Sequence, residues 1–224
     1  MLKAVIFDMY ETLITHYDCP LYFSRQMAAD AGISEEKFQL LWRATEYERT
    51  IGKQTFEQVL EFILKENGCY SEDLLYKMVE KRKATKRECF RHLHPEIELM
   101  LNTLKKQGFL IGLISNCYSE EAEVIRESKL FPYFDAVYLS YEQGVQKPQE
   151  EIFLRCIEHL SVKAEDCVYV GDGGSQELEM AAKLGMQTIQ AVWYLKEGTL
   201  QTSKRMEAFT QAERPLEVLG YVKK

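Results

Sequence analysis

Five nearly continuous apolar runs punctuate the chain: Ala4–Phe7, Phe109–Ser115, Ala136–Ser140, Cys167–Gly171 and Thr188–Val192. They do not alternate with polar residues, so both faces must be covered, which is the pattern of buried parallel strands. Between the later runs the apolar spacing changes to that of helices. Glu96–Lys106 sets Ile97, Met100, Leu101 and Leu104 on one stripe, and Gln149–Leu160 does the same with Ile152, Phe153, Cys156 and Leu160. Ser119–Ser128 opens on a hydroxyl followed by two acids, and Leu178–Leu184 stops at Gly185, both ordinary helix ends. Strands alternating with helices predict right-handed crossovers and a three-layer α/β sandwich.

The first run breaks that rhythm, because about a hundred residues separate it from the second. They read as almost wholly helical. Ser34 caps a segment with Phe38, Leu41, Trp42 and Thr45 on one side. Thr55 and Gln58 form a capping box ahead of Phe56, Val59, Leu60 and Ile63. Ser71 precedes Leu74, Leu75, Met78 and Val79. A helical insertion directly after the first strand predicts a lid: core residues 1–14 and 91–224, helical cap domain 15–90. The last twenty residues read as a peripheral tail.

A charge of −7 and a pI near 5.3 disfavour polyanions, although local cations still permit a small anionic substrate. The six cysteines, Cys19, Cys69, Cys89, Cys117, Cys156 and Cys167, form no C-x-x-C pair. The apolar run ending at Asp8 is too short for a signal peptide, and no stretch reaches membrane-spanning length. Scattered thiols without a secretion signal predict a reducing, cytoplasmic setting and no membrane or nucleic-acid partner.

Chemistry gathers where strands end. Asp8-Met9-Tyr10-Glu11-Thr12-Leu13 follows the first run, Ser115-Asn116 closes the second, Lys147-Pro148 follows the third, and Gly171-Asp172-Gly173-Gly174-Ser175 with Glu177 follows the fourth. The carboxyl edge of an open α/β sheet is where such folds bind ligands. Asp8 and Asp172 brought together there would repel by about 4 kcal/mol at ~4 Å and an effective dielectric of ~20, unless a cation stands between them. Mg²⁺ suits an all-oxygen site that also meets phosphate. Ser115 and Asn116 can donate hydrogen bonds to an anionic oxygen; alternatively they cap a turn.

In order and spacing, these four motifs resemble the haloacid dehalogenase-like hydrolases, whose core is a Rossmann-like parallel sheet with an inserted cap. The resemblance implies Asp8 as nucleophile, with Ser115 and Lys147 as its catalytic partners. It implies Mg²⁺ held by Asp8, the Tyr10 carbonyl and Asp172, with Glu177 acting through water. Glu177 could equally be a solvated first-turn residue of a helix. Tyr10, Thr12, Asn116 and Arg43 would face the substrate. The implied activity is Mg²⁺-dependent hydrolysis of a small phosphorylated metabolite through an aspartyl-phosphate.

One position departs from the family's phosphatases. They carry a second aspartate where Tyr10 stands, and a tyrosine is a poor base near neutrality. The metal-independent 2-haloacid dehalogenases of the same superfamily carry tyrosine there, and a cap tryptophan–arginine pair similar to Trp42-Arg43. That pair also reads as an ordinary helix pair. Those dehalogenases have neutral residues in the fourth motif, whereas this chain has Asp172 and Glu177, which favours the metal-dependent reading. A fold that has lost turnover and serves as a binding module is the third possibility.

Overall fold

The computed structural model describes residues 1–196, 201 and 203–222. Six parallel strands form one sheet in the order β3-β2-β1-β4-β5-β6. They are β1 Ala4–Phe7, β2 Leu110–Ser115, β3 Ala136–Leu139, β4 Cys167–Gly171, β5 Gln187–Ala191 and β6 Thr210–Ala212. The first five match the five apolar runs within a residue or so at each end. β6 lies inside what the sequence suggested was a peripheral tail. Its three residues are too few to show a period, and pairing of Ile189, Gln190 and Ala191 with Thr210, Gln211 and Ala212 is what defines it. The tail's final two positions, 223 and 224, lie outside the described residues.

β1 is central, and alternate side chains leave it on opposite faces, as a pleated strand requires. Val5 and Phe7 join one apolar cluster, Ala4 and Ile6 the other. The chain runs one way from β1 to β2 and β3, then returns past β1 to β4 and β5. The crevice at such a reversal, beyond the carboxyl ends of the strands, is a ready-made binding site.

The helices between β1 and β2 are α1 Ser24–Ala31, α2 Glu35–Ala44, α3 Glu46–Thr50, α4 Phe56–Glu66 and α5 Glu72–Cys89. They bury a core of their own, including Tyr22, Met27, Phe38, Phe56, Leu60, Ile63 and Met78. The expected caps are present. Ser34, Thr55 and Ser71 each accept from the backbone N–H three residues on, and Gln58 answers Thr55 reciprocally. Sequence reading missed α1, because Phe23 at its start supplies no capping oxygen. The Gln26 side chain accepts from the Phe23 amide instead. The remaining helices are α6 Ile97–Lys106, α7 Ser119–Glu127, α8 Ser140–Gln143, α9 Glu150–Leu160, α10 Glu177–Lys183 and α11 Val218–Tyr221. α6, α7 and α11 contribute to the first apolar cluster, α9 and α10 to the second. Among the described residues no helix is long and apolar enough to cross a membrane.

Candidate active site

Four strand ends converge on Asp8. Its backbone N–H continues the ladder by donating to the Val170 carbonyl at 2.9 Å, so the residue is held one step beyond the last β1 position. The residue is 5% exposed. Lys147 donates to Asp8 Oδ1 at 2.5 Å and also contacts Glu177 Oε2. Thr12 Oγ1 lies 3.5 Å from Asp8 Oδ2. Burial pushes the Asp8 carboxyl above the ordinary carboxylate range; Lys147 opposes this and Asp172 adds to it. Burial alone would lower the Lys147 ammonium, but the charges of Asp8 and Glu177 outweigh it and keep the group protonated.

Ser115 is buried at the end of β2, its hydroxyl 3.5 Å from the Asn116 carbonyl. Asn116 grips the backbone of Lys147 reciprocally: its amide nitrogen donates to the Lys147 carbonyl at 3.0 Å, and its Oδ1 accepts the Lys147 N–H at 2.8 Å. A second contact reaches Ser175 Oγ at 3.3 Å. The Asn116 amide, expected to face substrate, thus also clamps the lysine's backbone while lining the cleft.

Glu177 is fully buried, which removes the reading of it as a solvated helix residue. Tyr169 in β4 donates to Glu177 Oε2 at 2.9 Å. A β-carbon on Gly171 would fall 2.0 Å from Glu177 Oε1, so a glycine there is what lets the carboxylate lie against the strand end. Burial and the charge of Asp8 drive Glu177 well above the usual range, against the pull of Lys147. Asp172 accepts from Gly174 N–H at 2.9 Å and from Ser203 Oγ, while Gln190 donates to its carbonyl at 2.9 Å. Sequence reading missed Tyr169 and Gln190. One signal was present: a buried phenol in an apolar strand must find a polar partner.

Asp8, Asp172 and Glu177 each place a carboxylate oxygen within 4.8 Å of the other two. Among the described residues Lys147 is the one ammonium paired with these acids, and their mutual crowding adds to burial in raising the Asp8 and Glu177 carboxyls. An all-oxygen donor set of crowded, buried carboxyls fits a small, hard divalent cation, which would favour their ionised forms.

A cleft of about 950 Å³ opens between this cluster and the helical insert. Lys147, Pro148, Asn116 and Ser175 line its core side, and Trp42, Tyr47, Arg82 and Lys86 its insert side. Tyr10 presents its ring to the cleft, stacked on His16 at 4.5 Å between centroids. Its hydroxyl is buried without a hydrogen-bond partner among the described residues, and burial, with Glu121 adding to it, raises its pKa well above 10. The backbone at Glu11 is left-handed (φ 59°), and Thr15 and His16 bind its carboxylate, which burial raises to about 7. Arg43 is an exposed rim residue that donates to Gln39 at 3.3 Å. The buried guanidinium of this stretch is Arg49, 3.5 Å above the Trp42 ring and 4.7 Å from that of Tyr118. Trp42 turns inward against Phe38 and Phe56, while Arg43, the next residue, lies exposed where α2 borders the cleft.

An open parallel sheet with an acid cluster at its switch point and a helical insert after the first strand defines a hydrolase class. The sequence pattern of the haloacid dehalogenase-like hydrolases matches residues 2–185, and the chain belongs to that family. It is 26% identical over 197 residues to the glyceraldehyde 3-phosphate phosphatase of Methanocaldococcus jannaschii, covering 85% of each chain. Its fold is shared with the 2-haloacid dehalogenase of Pseudomonas syringae pv. Tomato DC3000 (TM-score 0.70, 21% identity, 98% of this chain and 97% of that one). It is also shared with a family enzyme of Bacteroides thetaiotaomicron solved with magnesium and inorganic phosphate (TM-score 0.63, 21% identity, 90% and 98%).

Proposed function

We propose that this hydrolase is a Mg²⁺-dependent phosphohydrolase of a small phosphorylated metabolite. The observation that carries the reading is the acid triad of Asp8, Asp172 and Glu177 around one lysine. A metal-free dehalogenase has no use for two further acids beside Asp8, which oppose an ionised nucleophile. The named phosphatase relative supports the same choice.

Asp8 Oδ attacks phosphorus, the ester oxygen leaves, and water then hydrolyses the aspartyl-phosphate. Lys147 holds Asp8 ionised and offsets charge on the phosphoryl oxygens. Ser115 orients the phosphoryl group. Asp8, Asp172 and the Tyr10 carbonyl would hold Mg²⁺, with Glu177 beside them; when bound, the ion neutralises phosphate charge. Residues 15–90 act as a cap that excludes water and selects substrate, with Tyr10, Thr12 and the rim residue Arg43 on the substrate's side.

Tyr10 supplies no carboxylic acid to protonate a departing alkoxide. Phosphates whose leaving group departs without a proton, such as aryl esters, should therefore turn over fastest. The test is p-nitrophenyl phosphate hydrolysis with Mg²⁺ and with chelator. Activity should require the metal and vanish in Asp8→Asn. Tyr10→Asp should raise alkyl-phosphate turnover by about tenfold or more and change the aryl rate little. Metal-independent chloride release from 2-chloropropionate, with no phosphatase activity, would establish the dehalogenase instead.

A further inference from the structure

The chain crosses between the sheet and the helical insert twice, outward between Ile14 and Ser24 and back between Cys89 and Ile97. At the crossings two thiols meet. Cys19 lies on the outward segment and Cys89 is the last residue of α5, and their sulfurs are 3.2 Å apart. Cys89 is 2% exposed, whereas Cys19 is only partly buried. Each sulfur is steadied by a carbonyl four residues earlier, Thr15 for Cys19 at 3.5 Å and Thr85 for Cys89 at 3.4 Å. A disulfide needs about 2.05 Å between sulfurs, a closure of little more than 1 Å. Among the described residues the four other cysteines, Cys69, Cys117, Cys156 and Cys167, have no second sulfur at hydrogen-bond distance.

We infer that Cys19 and Cys89 form a redox-sensitive dithiol, oxidised by low-molecular-weight disulfides to a cross-link that ties the two crossings of the helical insert together. The Cys19 thiolate attacks one sulfur of glutathione disulfide and releases one glutathione thiolate. Cys89 then attacks the Cys19 sulfur of the mixed disulfide and releases the second. Each protein sulfur gives up one electron, the reagent takes both, and the thiol protons pass to the departing glutathiones. Burial raises both thiols, Cys89 far more than Cys19, so exchange starts at Cys19 and quickens with pH. Asp18 and Glu88 beside Cys19 hinder its ionisation and Lys86 assists it. Bonded, the two crossings cannot move apart, and the insert stays in its docked position. That consequence for turnover rests on reading the insert as a cap; the cross-link itself does not.

The test incubates the full chain with glutathione disulfide at mildly alkaline pH, blocks remaining thiols and digests without reductant. Mass spectrometry should find one Cys19–Cys89 linked peptide pair, about 2 Da below the summed thiols, reversed by dithiothreitol and absent from Cys19→Ser and Cys89→Ser. Oxidation should lower kcat on p-nitrophenyl phosphate by about tenfold in the wild type, leave both variants unchanged, and be undone by reduction. Glutathione remaining on Cys19, or a bond to any other cysteine, would overturn the proposal. A correct cross-link with unaltered turnover would overturn its effect on the cap. A reduced protein without phosphatase activity that still forms the cross-link would count against the phosphohydrolase reading alone.

Discussion

Glu177 shows how one atom beside a charged site can set its chemistry. Its carboxylate occupies the space that a side chain at position 171 would fill. Gly171→Ala should push it away from Lys147 and from the acid cluster, and lower Mg²⁺ affinity by about ten- to a hundredfold, as loss of a supporting group does at metal sites. Calorimetric titration with Mg²⁺ checks this. Unchanged affinity would mean that Glu177 has no part in holding the ion. Asn116 works through the backbone: by clamping the Lys147 peptide it fixes the base of a flexible four-carbon stem, and no reading of residue types alone assigns it that role.

At the scale of elements, α5 meets α7 of the core through buried charge, while its last residue, Cys89, joins the core's apolar cluster. Arg82, 3% exposed, donates to Glu120 and to Glu121 at 3.0 Å each, and to the Tyr22 carbonyl at 2.7 Å. Lys86 meets Glu121 at 2.6 Å. Both acids stand in the first turn of α7, where the helix dipole also favours them. Removing one partner of such a buried set costs more than the set contributes, because the other charges stay buried. Arg82→Met should therefore destabilise the protein by about 3–5 kcal/mol in urea unfolding. A loss below about 1 kcal/mol would show that water reaches the acids and screens them.

For the whole molecule the same charges set the response to acid. Burial works to raise the Glu121 carboxyl, but Lys86 and Arg82 outweigh it and hold it below its ordinary value of 4.5. Glu120 goes the other way, raised by burial that Arg82 only partly offsets, and so takes up its proton first as the pH falls. A depressed carboxyl binds its proton more weakly in the folded chain than in the unfolded one. Its contribution is complete above about pH 4.5 and is lost as pH falls through the lower folded value. The melting temperature should drop below about pH 4.5, and Glu121→Gln, less stable near neutrality, should show a shallower drop. Circular-dichroism melts across that range decide it; an undiminished slope in the variant would assign the acid sensitivity to other groups.

The sequence by itself determined the elements whose signals are local. Continuous apolar runs marked the first five strands, hydroxyl caps marked α2, α4 and α5, and polar residues at the run ends marked Asp8, Ser115, Lys147 and Asp172. Only the tertiary structure decided what depends on where distant segments return. Lys147 meets Asp8 across 139 positions, Arg49 rather than Arg43 turns inward, and Cys19 meets Cys89 across 70. β6 exists because β5 offers it an edge. Local pattern reports which face of an element is buried; which charge or sulfur faces which is settled when the crossovers close and the desolvated groups must find partners.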